Sequence, residues 1–139
     1  MFKRFFFSVT PTNTVVALGL LILRLGFGGT MLLAHGLGKA SSFNETAAKF
    51  PDPLGVGAVV SMMLVIFAEA MCSSLIVVGF MTRLAAIPLA FCMGVAFLFV
   101  HAADPFQVKE LALLYGVGFI TIFLAGPGWL SLDAWFGRN

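Results

Sequence analysis

Arg24, His35, Lys39, Glu69, His101 and Glu110 stand in or at the ends of strongly apolar runs, and they are the side chains of this sequence that could do chemistry. A charge at the centre of a membrane helix costs about 2.5–3.5 kcal/mol on insertion scales, so such residues face a bundle interior or a water-filled cavity and have partners. Arg24 comes ten residues after Thr14, and Glu69 ten residues before Gly79. At about 1.5 Å per residue, both lie about 15 Å from the same end of a bundle. That matched depth predicts an Arg24–Glu69 pair between the first two helices. The pair has two readings: a pin between helices, or part of a polar site for a ligand or a proton.

The stretch "LLAHGLGKA", residues 32–40, extends the same pattern. At about 100° per residue, Arg24, Gly28, Met31, His35 and Lys39 fall within about 80° of one another, a stripe from midplane to outer rim. Gly28 and Gly38, with Gly29 nearby, are expected to let other groups come close to the backbone. His101, Asp104 and Glu110 reach a similar height from later helices. His35, Lys39, His101 and Glu110 are therefore expected to converge on one polar mouth that continues inward to Arg24 and Glu69; the alternative is that they snorkel separately to water. Two histidines on different helices are also candidate axial haem ligands, but nothing else in the sequence supports haem. There is no HxxxH or CxxC spacing, nucleotide loop, nucleophile elbow or dinucleotide fingerprint, so no intrinsic cofactor and no metal site is evident.

The elements that must carry these residues follow from composition. The chain is 60% hydrophobic and 10% charged, with mean hydropathy +1.06, which takes it out of the soluble class and into the bilayer. A spanning helix needs about 20 apolar residues. Four segments supply them: Val15–Ala34, Leu54–Met81, Leu84–Val100 and Leu111–Ala125. With their polar ends they give helices at about 14–38, 54–80, 83–101 and 108–126, one domain over 1–139. The fold class is an all-α integral membrane protein, an antiparallel four-transmembrane-helix bundle. "WLSLDAWFGRN" follows as a short interfacial C-terminal segment, with two Trp beside Asp133 and Arg138. The first apolar run is too long for a signal-peptide core and no small-residue cleavage site follows it, so it is expected to be a mature helix.

Lys3, Arg4, Arg83 and Arg138 fall on one side of this bundle and Lys39, Lys49 and Lys109 on the other. The positive-inside rule then places both termini in the cytoplasm and Arg83 at a cytoplasmic turn, outside the site. A net charge of +2 is too weak to point to nucleic acid. Cys72 and Cys92 lie inside the second and third runs, at similar depth. They are expected to be packed free thiols, with a thiol pair as the alternative.

The order and spacing of "LRLGFGGTMLLAHGLGKA", "EAMCSSLIVVGFMTRLAAIPLA", "FVHA" and "KELALLYGVGFITIFLAGPGWLSLD" resemble the DoxX family of small four-helix membrane proteins, over about residues 14 to 133. The resemblance implies an intramembrane charged cluster of Arg24, Lys39, Glu69, Arg83, His101 and Glu110, a bacterial inner (plasma) membrane location, and redox chemistry linked to quinones. His35 departs from the family pattern, where other residues are common. Two functions follow. In one, the chain is a quinone-linked redox subunit or accessory protein, its ligand bound by Arg24, His35, Lys39, Glu69, His101 and Glu110. Electrons then come from a soluble or membrane redox partner, or directly from the substrate. In the other, it is a non-catalytic binder of a lipid or hydrophobic small molecule, or an anchor for a soluble partner, and the 16 Phe and seven Met supply an adaptable apolar pocket. Whether the chain is itself an enzyme, and whether it forms a homo-oligomer, stay open at this level.

Overall fold

The computed structural model describes residues 9 and 12–137. Its four long helices are α1 (Thr14–Ser41), α2 (Ala58–Val78), α3 (Thr82–Val100) and α4 (Phe106–Ala125), each long and apolar enough to cross a membrane. A short helix, α5 (Leu132–Phe136), follows. The protein is an all-helical integral membrane bundle, and among the described residues there is no strand. Leu25, Leu33, Met71, Phe91, Val117 and Leu124 are exposed along its outside, as a surface solvated by lipid requires.

Asn13 starts α1, its side chain accepting from the Val16 N–H. The helix then runs for 28 residues, about 42 Å at 1.5 Å per residue and longer than any neighbour. α2 begins at Ala58, later than its first apolar residue, because Asp52 holds residues 52–57 in a turn. Its carboxylate accepts from the Val56 N–H (3.0 Å), the Gly57 N–H (2.7 Å) and the Ser61 hydroxyl (2.7 Å). The Ser61 hydrogen bond, and then that of Gly57, hold the Asp52 carboxyl below the usual carboxylate range.

α2 and α3 join in a very tight turn. Gly79 adopts φ 72°, a left-handed conformation that glycine takes without steric cost. The Gly79 N–H bonds to Ile76 O (3.1 Å) and the Phe80 N–H to Leu75 O (2.9 Å), which satisfies the last carbonyls of α2. The chain after α4 returns to this turn. Asp133 is buried, and its carboxylate accepts from the N–H groups of Met81 (2.8 Å) and Thr82 (3.0 Å) at the start of α3. Its own N–H donates to Gly79 O (2.9 Å). A carboxylate distant in sequence thus supplies the helix cap that the turn lacks. Trp135 and Phe136 are exposed beside it, consistent with an interfacial position for α5.

α3 and α4 pack along their lengths, and α1 packs against the second half of α2 and against α4. The core between them is Met31, Ala68, Cys72, Ile76, Ala86, Leu89, Phe119 and Ile122. Cys72 and Cys92 are free thiols. α1 comes nearest to α2 at Gly36, where an added β-carbon would run into the Glu69 carbonyl, and at Gly28, against Ile76 and Ser73. Gly29 and Gly38, expected as close-approach positions, have open space around them. The outer half of α2 (Ala58–Ile66) packs on residues 37–41 and 47–49 rather than on α3.

Candidate functional site

Because the outer half of α2 leans toward α1 while α3 stays with α4, a wedge opens between them. It forms a cavity of about 410 Å³, within the usual range for small-molecule sites. α2 lines it with Ser61, Leu64, Val65 and Ala68, and α3 with Pro88, Phe91, Cys92, Val95 and Ala96. Both sets have the i, i+3, i+4, i+7 spacing of a helix face. In a tighter bundle these two faces would pack together. Phe50, Pro51, Pro53 and Leu54 of the long loop line the outer end.

Three helices depart from α geometry at this cavity. Leu32–Gly36 in α1, Phe67–Cys72 in α2 and Ala96–Val100 in α3 are π-helical. Each widens its turn and shifts the phase of the residues that follow, a distortion found preferentially at functional sites. The first carries His35, the second Glu69, and the third ends at Val100 beside His101; all four residues line the cavity.

The polar part of the wall centres on an ion pair. Lys39 Nζ donates to Glu69 Oε2 at 2.5 Å, with the Glu69 side chain 6% and the Lys39 side chain 28% exposed. Next to it the His35 ring stands edge-on to Tyr115, centroids 5.8 Å apart. Tyr115 in turn stacks on Phe119 at 6.0 Å and meets the edge of Phe27 at 5.8 Å. Three ring contacts, from His35, Phe27 and Phe119, fix the Tyr115 plane. At the rim, His101 Nδ1 lies 2.7 Å from Asp104 Oδ2. That contact orients the imidazole and occupies one of its two nitrogens.

The expected Arg24–Glu69 pair does not form. Arg24 is buried, but its guanidinium donates to Ile76 O (3.3 Å) and to Leu130 O. Ile76 lies seven residues beyond Glu69 along α2, about 10 Å at 1.5 Å per residue. Counting from Thr14 assumed that α1 starts level with the α2–α3 turn. In fact its first turns project past that turn and carry the C-terminal segment, with Gly128 lying against Ala17 and Leu20. Arg24 therefore sits at the end of the bundle and Glu69 further in.

The six charged residues implied as one cluster consequently lie in three places. Lys39, Glu69 and His101, with His35, line the cavity. Arg24 and Arg83 are buried at the other end around Asp133, where Arg83 Nε donates to Phe123 O (3.1 Å). Arg83 is thus at the turn and outside the cavity, but buried instead of reaching toward water. Glu110 is exposed on α4 and is not among the cavity-lining residues. Tyr115 and Ser61 were not singled out by their sequence context, and Cys92 was read as a packed thiol, yet all three line the cavity. Tyr115 did carry one signal: it is the only tyrosine of the chain.

Fold and site together define an integral membrane protein of four helices that keeps an ion pair on the wall of a largely apolar intramembrane cavity. The DoxX family model matches residues 19–102, more than half of the sequence, and the chain belongs to the DoxX family. The match spans α1 to α3, including His35, Lys39, Glu69 and His101, and stops before α4. No curated protein and no solved structure matches the chain.

Proposed function

We propose that this DoxX protein is a quinone-linked redox subunit or accessory protein whose cavity binds the quinone headgroup. The observation that carries this reading is the Lys39–Glu69 pair, set with His35, Tyr115 and His101 on the wall of an otherwise apolar chamber. A quinone ring is flat and apolar on its faces and accepts hydrogen bonds at two carbonyl oxygens. The Lys39 ammonium and the Tyr115 hydroxyl are suitable donors to those oxygens, and the second nitrogen of His101 is an acceptor for a quinol hydroxyl. Glu69 holds Lys39 in place and balances its charge. Reduction to the quinol takes up two electrons and two protons. The electrons come from a partner protein or directly from the substrate, and the donors on the wall hand protons to the oxygens and stabilise charge as it develops there.

The alternative, a redox-silent lipid in the same cavity, is separated by measurement. Protein purified in lipid retains quinone, seen as an absorbance change on borohydride reduction. Glu69→Gln and His101→Ala each abolish that retention with the bundle intact, and Lys49→Ala in the outer loop changes little. Equal retention in all three variants overturns the site.

The same proposal places the protein in a bacterial inner membrane with both termini cytoplasmic, on the strength of the sequence positions of Lys3, Arg4, Arg83 and Arg138, of which Arg83 alone lies among the described residues. A cysteine introduced at Trp135, exposed on α5 at the same end of the bundle, then reacts with an impermeant reagent only from the cytoplasmic face. Labelling from the outer face reverses the orientation.

A further inference from the structure

We infer that the cavity is loaded sideways, from the hydrocarbon of the bilayer through the gap between α2 and α3, and that its ligand carries a single long apolar tail lying in that gap. This rests on the quinone reading and narrows it to quinones with an alkyl or prenyl tail.

The gap is built into the packing. α2 and α3 touch from the Gly79 turn up to Phe67–Cys72 and part beyond it. Leu64, Phe67 and Phe91 border the wedge and are at the same time 54%, 46% and 63% exposed. Where α2 and α3 part, these exposed lining side chains stand on the apolar flank of a spanning bundle and face lipid tails; Leu54, Val100, Val108 and Leu111 also line the cavity and are exposed nearer its outer end. The water-facing end is lined by the long loop. Phe50, Pro51, Pro53 and Leu54 form an apolar roof there, and Asp52 ties their loop to Val56, Gly57 and Ser61. The chemistry is also graded across the cavity. Its polar groups come from α1, from Glu69 on the α1-facing side of α2, from Tyr115 of α4, and, toward the outer end, from Ser61, whose hydroxyl donates to Asp52, and His101, which meets Asp104, whereas the middle of the α2–α3 flank presents Leu64, Phe67, Phe91 and Val95. A polar headgroup at Lys39–Glu69 thus leaves its tail directed at the gap, where burial of each further methylene adds affinity.

The test uses the full chain in lipid nanodiscs and two probes: a decyl-tailed benzoquinone and the same ring bearing a methyl group in place of the tail. Phe67→Trp combined with Phe91→Trp fills the gap with side chains that lipid tolerates. The expected result is that this variant binds the decyl quinone about tenfold more weakly and the methyl quinone within about twofold of wild type. Phe67→Ala, which widens the gap, speeds release of the decyl quinone. Equal weakening of both probes, or of neither, overturns lateral loading while leaving the quinone site standing. So does a roof substitution, Pro53→Trp, that slows binding of the decyl probe when the gap variants do not. If wild type binds neither quinone, the proposed function itself fails, and the lateral route fails with it.

Discussion

Lys39→Met destabilises the bundle more than Glu69→Met, and the double variant recovers most of the loss. The asymmetry follows from the two ends of the pair, since the Glu69 side chain is 6% exposed and that of Lys39 is 28% exposed. Removing the lysine strands a carboxylate in a place that water hardly reaches, and breaking a buried pair in this way costs about 3–5 kcal/mol. Removing the glutamate leaves a long, flexible cation near the outer end of α1, which extends its ammonium to water at a cost of about 1 kcal/mol. With methionine at both positions no charge is left unpaired, and thioether side chains adapt well to irregular space. Thermal unfolding in detergent measures all three, with ligand-free protein so that binding does not contribute. Equal losses in the two single variants would show that the pair is solvated like a surface ion pair. The double variant, though stable, retains no quinone, which separates the stability of the wall from its use.

Asp133→Ala has the second large effect. It removes the acceptor of the Met81 and Thr82 N–H groups and the carboxylate nearest the buried Arg24 and Arg83 guanidinium groups. Each buried donor left unsatisfied costs about 1–3 kcal/mol, and a loss of about 3–5 kcal/mol is expected for the set. The α2–α3 turn loosens first, because Met81 is held at φ 48°, a backbone conformation that a non-glycine residue keeps only under external constraint. Asp133→Asn keeps one acceptor oxygen and the shape, and falls between. Trp135→Ala, on the exposed side of the same short helix, changes stability by about 0.5 kcal/mol or less. An Asp133→Ala protein that melts with wild type would show that the C-terminal segment merely rests on the bundle.

The path from sequence to site broke at identifiable residues. Lys39, His35 and Glu69 were recognisable because polar groups in apolar runs are costly and therefore informative. Their pairing was not recognisable, because depth was counted from helix ends and α1 overshoots its neighbours. The 100° stripe failed for a related reason. Met31, His35 and Lys39 of the stripe do line one cavity, but the fifteen residues from Arg24 to Lys39 span about 22 Å, too far for one pocket. Tyr115 gave little sign because an aromatic residue in a membrane helix is ordinarily a packing residue. Asp133 read as one charge of an interfacial tail, and only the return of the chain to the Gly79 turn makes it a helix cap.

By itself the sequence determined what solvent dictates: four spanning helices, their order, their antiparallel run and the few polar side chains that cannot face lipid. These follow from local hydropathy, which depends on each segment alone. Tertiary structure decided which polar groups meet. That depends on the relative heights of helices, on where α turns widen to π, and on a wedge left open because the outer half of α2 leans on α1 and not on α3. Each is a balance among several packed surfaces, and a single segment carries no record of where its neighbours will stop.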